Sequence, residues 1–165
     1  MKFHEHIIRA SVPELPFQLT RAELAAGIAE FARCPDRFIE EASGSRITRP
    51  EAPGVEPGSV VFGREIRFGG LAFEETVELL EDGSCRTHID ADAGRPASDF
   101  LMRIEEPEDG VFFVRFVYHE DREPPVRESA QERQIAELRR LAYESKDRSV
   151  LERILGNIAQ AHAAG

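Results

Sequence analysis

The chain has 165 residues, of which 41% are hydrophobic and 32% are charged, a composition typical of a single globular domain. Its formal net charge is -10. This excess of carboxylates argues against binding to nucleic acid or to anionic lipid surfaces, which both require a basic face, and no apolar run is long enough to predict membrane insertion.

The N-terminal part predicts one strand followed by helical structure. Residues 3–10 are typical of a strand. Thr20 and Glu23 form the T-x-x-E pattern of a capping box, and apolar residues at helical spacing then predict a helix over residues 21–33. Residues 36–40 favour a short second helical turn, so we expect one or two short helices after the first strand.

The middle of the chain predicts a meander of strands joined by short turns. Gly69-Gly70 is typical of a two-residue hairpin turn, and the segments EDG and EPEDG are typical of slightly longer turns. Short turns between consecutive strands predict antiparallel pairing. A weak strand at 42–48 and a Pro/Gly-rich loop at 49–59 precede this region, whose predicted strands are 60–68, 71–80, 84–92, 97–106 and 111–120.

The C-terminal part is predicted to be helical from about Ser129. Its first apolar face contains Ile135, Leu138, Leu141 and Ala142, and its second contains Leu151, Ile154, Leu155 and Ile158. A break at residues 146–149 is expected between them, with Asp147 or Ser149 as the new N-cap. A strand meander beside helices buries one face of its sheet against them, so we predict one α+β domain over residues 1–165.

This order of elements resembles the helix-grip fold of the birch-pollen-allergen and START-related (SRPBCC) superfamily, and more narrowly its AtaL-like subgroup. The stretches that carry the resemblance are FHEHIIRAS, REIRFGGLAFEETVEL, IEEPEDGVFFVRFVY and LAYESKDRSVLERIL. The resemblance implies a seven-stranded antiparallel sheet curved around a long C-terminal helix, with an apolar cavity between them. It implies no established reaction, because a fold alone does not give a function.

One hairpin places two opposite charges on an apolar face. A two-residue turn at Gly69-Gly70 sets Arg64 opposite Glu75, and side-chain alternation directs both toward the interior with their apolar neighbours. A buried charge without a partner is costly, whereas an opposed pair offsets that penalty. We therefore predict either a self-satisfied structural pair or the polar anchor of an apolar ligand site.

The candidate ligand contacts share the predicted inward faces of the sheet and of the C-terminal helix. Tyr118 and Tyr143 are included because each can present a hydroxyl group to the interior. The full set is Arg64, Glu75, Phe62, Phe73, Met102, Phe116, Tyr118, Leu138 and Tyr143.

No cofactor or metal is predicted. His4 and His6 share one face of the first strand and the resemblance brings His119 near them, but no fourth ligand is evident for a zinc site. The two cysteines, Cys34 and Cys85, have no metal-binding spacing and are expected to be reduced. The charged N-terminus lacks a signal-peptide core, so a cytoplasmic location is expected.

Three functions remain open at this stage. The first is a cytoplasmic binding protein for a small hydrophobic or amphipathic molecule. The second is an enzyme that resembles polyketide cyclases and aromatases, with Arg64 polarising a carbonyl group and Glu75 or a tyrosine moving protons. The third is an interaction module with a filled core, and whether the protein is a homodimer is also left open.

Overall fold

The computed structural model describes residues 1–165 and consists of one seven-stranded antiparallel sheet and helices. The helices are α1 (Arg21–Arg33), a 3₁₀ turn (Pro35–Arg37) and α2 (Ala130–Ala164). The strands are β1 (Lys2–Arg9), β2 (Gly44–Pro53), β3 (Val60–Phe68), β4 (Leu71–Leu79), β5 (Cys85–Ile89), β6 (Ser98–Glu108) and β7 (Val111–Glu120). The predicted α+β helix-grip architecture is confirmed, including two short helical segments between the first two strands.

The strand order is β1-β7-β6-β5-β4-β3-β2, so β3 to β7 form the predicted meander and β1 and β2 are the two edges. Strand β2 extends to Pro53 rather than ending at residue 48, and only residues 54–59 remain as a loop. Pro50 is accommodated because an edge strand needs no hydrogen bond on its outer side, and the β2–β3 ladder shifts register around Arg49. Strand β5 is shorter than predicted because residues 92–95 close a turn.

Helix α1 begins with the predicted capping box. The backbone N–H of Glu23 donates to the Thr20 hydroxyl, and the Glu23 carboxylate accepts from the Thr20 backbone N–H. Leu24 and Ile28 are fully buried, which fixes the face that α1 turns toward the rest of the domain.

Helix α2 is one uninterrupted helix of 35 residues, so the predicted break at residues 146–149 is wrong. Asp147 does not cap a new helix, because its side chain is buried and binds groups on the sheet. A continuous helix has a single rotational phase, and here Val150, Leu151 and Ile154 set it by packing into the core. At 100° per residue, Tyr143 lies about 20° around the axis from Ile154, but Leu138 lies about 160° away.

The predicted first apolar face of α2 is therefore exposed rather than buried. The exposed fractions are 51% for Ile135, 61% for Leu138 and 53% for Leu141. The prediction that this face packs against the sheet is wrong. It required a break in the helix, so that the two apolar faces could each rotate toward the sheet.

The core lies on the sheet face that the sequence predicts. Inward residues of β6 and β7, such as Met102, Val114 and Phe116, are almost completely buried. They pack with Leu24 and Ile28 of α1 and with the C-terminal half of α2. No helix is long and apolar enough to cross a membrane.

Two glycines in hairpin turns give a test of how tightly α1 packs on the sheet. Both Gly69 and Gly83 have a positive φ, which costs any other residue about 1 kcal/mol. A Cβ on Gly83 would lie 2.5 Å from the Cβ of Ala25 in α1, whereas a Cβ on Gly69 would meet nothing within 4 Å. We expect Gly69→Ala to lower the free energy of unfolding by about 1 kcal/mol and Gly83→Ala by about 1–3 kcal/mol more, measured by urea denaturation. Equal losses of stability in the two variants would mean that α1 shifts away from the added methyl group at residue 83 at no cost in free energy.

Candidate functional site

A pocket of about 430 Å³ lies between the sheet, α1 and α2. We call it the sheet–helix pocket. Seven aromatic rings contribute to its wall, so it is mainly apolar. The aromatic residues are Phe3, Phe31, Phe68, Phe73, Phe100, Tyr118 and Tyr143, and the charged residues are Arg64, Glu75, Arg95, Asp99, Glu120, Arg139 and Lys146.

The predicted Arg64–Glu75 pair is present in this wall. The two residues are directly paired across β3 and β4, and the Arg64 Nε atom donates to Glu75 Oε2 at 2.5 Å. Arg64 Nη1 donates to the carbonyl oxygen of Ala32 at 2.5 Å, so the guanidinium group also ties the C-terminal end of α1 to the sheet. Arg64 is only 4% exposed and Glu75 only 8%.

The pair retains unused hydrogen-bonding capacity. Arg64 Nη2 and Glu75 Oε1 make no hydrogen bond within the protein. The only fully buried side-chain nitrogen or oxygen atoms without a partner are His4 Nε2 and Arg95 Nε. The free atoms of Arg64 and Glu75 therefore keep some accessible surface, and both residues line the pocket.

An aromatic stack forms the wall nearest α2. The rings of Tyr118 and Tyr143 are parallel with their centroids 4.2 Å apart, and Phe100 stacks on the other side of Tyr118 at 4.7 Å. The ammonium group of Lys146 lies 4.6 Å from the Phe100 centroid and 5.2 Å from that of Tyr118. A cation beside aromatic rings is stabilised by their quadrupoles.

A buried carboxylate connects this stack to β1. Asp147 is 1% exposed, and the Tyr118 hydroxyl oxygen lies 2.8 and 2.7 Å from its two carboxylate oxygens. His6 Nε2 lies 2.7 Å from Asp147 Oδ2 and must carry the hydrogen, because a carboxylate only accepts. Burial raises the pKa of Tyr118, and the neighbouring Asp147 charge raises it further, so the hydroxyl stays protonated and donates to Asp147.

Several charged residues of this region were not predicted from the sequence, among them Asp147, Arg95 and Lys146. Asp147 was predicted as a helix cap, and no local pattern distinguishes it from an exposed helical residue. Arg95 lies in the loop between β5 and β6, and its guanidinium carbon lies 4.9 Å from the Phe73 ring centroid. Loop residues carry no periodicity, so the direction of the Arg95 side chain could not be predicted.

Five of the nine candidate ligand contacts line the sheet–helix pocket, namely Arg64, Glu75, Phe73, Tyr118 and Tyr143. Three others, Phe62, Met102 and Phe116, are packed in the core and do not line it. Leu138 was placed wrongly, because the single phase of α2 turns its side chain to the exposed side. Ligand contact by the five lining residues stays a prediction.

The histidines and cysteines form no metal site in this structure, because no three His, Cys, Asp or Glu side chains are placed to share an ion. His4 and His6 stack on each other, and His6 is bound to Asp147. Both cysteines are free, and burial raises the pKa of the Cys85 thiol to about 11. A thiol with that pKa is unreactive at neutral pH.

Comparison with known proteins places this architecture among familiar folds. The model of the family described as "AtaL: Acetylaranotin biosynthesis cluster protein L" matches residues 8–159. Similar solved structures include TTHA0849 from Thermus thermophilus (TM-score 0.57), Ara h 8.0201 (0.53) and the Zhui aromatase/cyclase from Streptomyces sp. R1128 (0.52).

Each of these three structures is 12% identical to the chain. The match to TTHA0849 covers 93% of this chain and 96% of that one. The corresponding values are 93% and 97% for Ara h 8.0201, and 97% and 94% for the Zhui aromatase/cyclase. The likeness concerns the fold alone at this identity. None of the curated proteins compared with the chain matches it.

Proposed function

The chain belongs to the AtaL family, and from this premise and the geometry of the sheet–helix pocket we propose that it is a binding protein for a small hydrophobic or amphipathic molecule. The ligand occupies the pocket between the sheet and α2. Arg64 and Glu75 orient a polar group of the ligand, while the aromatic wall binds its apolar body.

The size and lining of the pocket support this proposal. Small-molecule sites usually have volumes of about 300–1,000 Å³, with mostly apolar walls and a few convergent polar groups. The volume of about 430 Å³ lies in the lower part of that range.

The observation that carries the proposal is the unused capacity of the buried ion pair. Because Arg64 Nη2 and Glu75 Oε1 have no partner within the protein and keep some accessible surface at the pocket, both atoms are open to a polar group that enters it. Arg64 Nη2 can donate to a carbonyl, hydroxyl or carboxylate oxygen, and Glu75 Oε1 can accept from a hydroxyl group. A ligand with an oxygen substituent would satisfy both atoms.

Filling the pocket tests the proposal. Thr87 is buried and lines the pocket, whereas the preceding residue on β5, Arg86, is partly exposed and does not line it. We expect Thr87→Phe to weaken binding of the uncharged fluorophore N-phenyl-1-naphthylamine by at least about tenfold, because the added ring occupies the pocket. The matched variant Arg86→Phe adds the same ring outside the pocket and should leave the dissociation constant within about twofold.

Fluorescence titration gives the dissociation constants, and circular dichroism checks that both variants are folded. The proposal fails if the wild-type protein does not bind the fluorophore, or if Thr87→Phe binds it as well as Arg86→Phe does.

An enzyme that closes rings in a polyketide-like chain is the second candidate, and the fold shared with the Zhui aromatase/cyclase is the observation in its favour. Such an enzyme needs a group that moves protons. The Tyr118 hydroxyl already donates to Asp147, and burial raises its pKa, so Tyr118 is a poor base. The Glu75 carboxylate, the other candidate, already accepts a hydrogen bond from Arg64 Nε, so we rank the enzyme below the binding protein.

The proposed location is the cytoplasm, where thiols such as Cys34 and Cys85 remain reduced. A homodimer stays a prediction.

A further inference from the structure

The charges around the sheet–helix pocket do not cancel, and the excess is positive. Arg64 is paired with Glu75, and Arg139 is paired with Glu120. Burial alone would raise the pKa of Glu120, but hydrogen bonds from Arg139 and Arg122 lower it, so Glu120 remains a carboxylate that balances Arg139. Asp99 is bound to His88 at 2.9 Å. Of the two remaining cations, Arg95 has no carboxylate within salt-bridge distance, and Lys146 has only Asp147, whose Oδ1 atom lies 3.5 Å from Lys146 Nζ.

Arg95 has no acidic partner. It makes no salt bridge with any carboxylate, and its buried Nε atom has no hydrogen-bond partner. Its guanidinium group instead lies against the Phe73 ring, with 4.9 Å between the guanidinium carbon and the ring centroid. A guanidinium group has N–H donors and no acceptor, so the buried Nε donor of Arg95 can be satisfied by an acceptor that enters the pocket.

Lys146 also keeps free donors. Its nearest carboxylate oxygen, Asp147 Oδ1, lies 3.5 Å from Nζ, and no hydrogen bond joins the two groups. The Asp147 oxygens already accept from Tyr118 and His6. Lys146 lines both the sheet–helix pocket and the groove outside it between α2 and residues 37–41, so it lies where the two spaces meet.

We propose that the ligand is an amphipathic anion, with an apolar and preferably aromatic body in the pocket and a carboxylate or similar oxyanion bound by Arg95 and Lys146. This inference rests on the proposed binding function and adds the charge of the ligand. The chain as a whole carries a net charge of -10, which repels anions. The unpaired Arg95, together with Lys146, which keeps free N–H donors, therefore makes the pocket a local exception that selects anions of matching shape.

A pair of fluorescent probes that differ mainly in charge tests the inference. The anionic probe is 1-anilinonaphthalene-8-sulfonate, and the uncharged probe is N-phenyl-1-naphthylamine, which has the same rings without the sulfonate. We expect Arg95→Met and Lys146→Met each to weaken binding of the anionic probe about tenfold, the effect of one charge-assisted hydrogen bond. Binding of the uncharged probe should change less than about twofold in both variants, because methionine retains the apolar stem.

Arg103→Met is the matched control, because Arg103 is exposed and its removal changes the net charge by the same amount. It should leave the affinity for both probes unchanged. If Arg95→Met and Lys146→Met weaken neither probe, or weaken both equally, the ligand is not selected by charge and this inference is overturned, while the binding function stands. If the wild-type protein does not bind N-phenyl-1-naphthylamine, the binding function itself is overturned.

Discussion

Arg64→Met is expected to lower the free energy of unfolding by about 3–5 kcal/mol, the cost of removing one partner from a buried ion pair. The substitution leaves the Glu75 carboxylate in an apolar wall without its cation, and it leaves the carbonyl oxygen of Ala32 without the Arg64 donor. Urea denaturation, with the midpoint and slope analysed together, measures the loss.

The double variant Arg64→Met/Glu75→Met should recover most of this loss, because replacing both members of a buried pair by apolar groups of similar size is often nearly neutral. Arg67→Met is the matched control on the same strand, since Arg67 is exposed and its pair with Glu65 is at the surface. We expect that control to change stability by less than about 1 kcal/mol. A loss in Arg64→Met no larger than in Arg67→Met would mean that water solvates Glu75 and that the pair is not structurally important.

The double variant also separates the structural role of the pair from the proposed role in binding. If the pair orients a ligand oxygen, the folded double variant should bind a naphthyl ketone such as 6-propionyl-2-dimethylaminonaphthalene less well than the wild-type protein does. Its affinity for N-phenyl-1-naphthylamine, which has no oxygen, should be nearly unchanged. Equal affinity for the ketone in both proteins would leave Arg64 and Glu75 as a structural pair only.

The sequence predicts this pair because the hairpin that contains it is local. A two-residue turn at Gly69-Gly70 determines the register of β3 and β4 over their whole length, and the observed pairing of Arg64 with Glu75 follows directly. The same reasoning applies to the next turn, where the three residues EDG set Leu79 opposite Cys85, and these two residues are paired in the structure. Register inside a meander of short turns is therefore accessible from sequence.

Features that depend on contacts between distant parts of the chain were not accessible. The exposure of Leu138 follows from the phase of α2, which Val150 and Ile154 set through contacts with the rest of the fold. The local spacing of apolar residues in α2 is compatible with either of its two apolar faces being buried, and it does not indicate which one packs against the sheet. The unpaired state of Arg95 likewise depends on where its loop lies over Phe73, a distance that no spacing in the sequence encodes.

Asp147 is the clearest example, and its removal is the second large effect that we expect. Asp147→Ala should lower the free energy of unfolding by about 3 kcal/mol or more, because it leaves the buried Tyr118 hydroxyl and the partly buried His6 imidazole without their shared acceptor. Glu137→Ala is the control on the same helix, since Glu137 is exposed and its ion pair with Arg140 is at the surface. That control should change stability by less than about 0.5 kcal/mol. Urea denaturation measures both variants.

Tyr118→Phe and Asp147→Asn distinguish a clamp on α2 from a general loss of packing. Tyr118→Phe removes one donor but keeps the ring stack and the contact between Asp147 and His6, so we expect a loss of about 1–2 kcal/mol. Asp147→Asn keeps the size of the side chain and one acceptor oxygen, so its loss of stability should lie between those of Tyr118→Phe and Asp147→Ala.

If the carboxylate clamps α2 to β1 and β7, amide hydrogen exchange in Asp147→Ala should accelerate first in residues 143–151 of α2, while the β3–β4 ladder stays protected. Uniform acceleration through the sheet would contradict the clamp, because Asp147 would then stabilise the whole domain rather than hold the helix that forms one wall of the pocket.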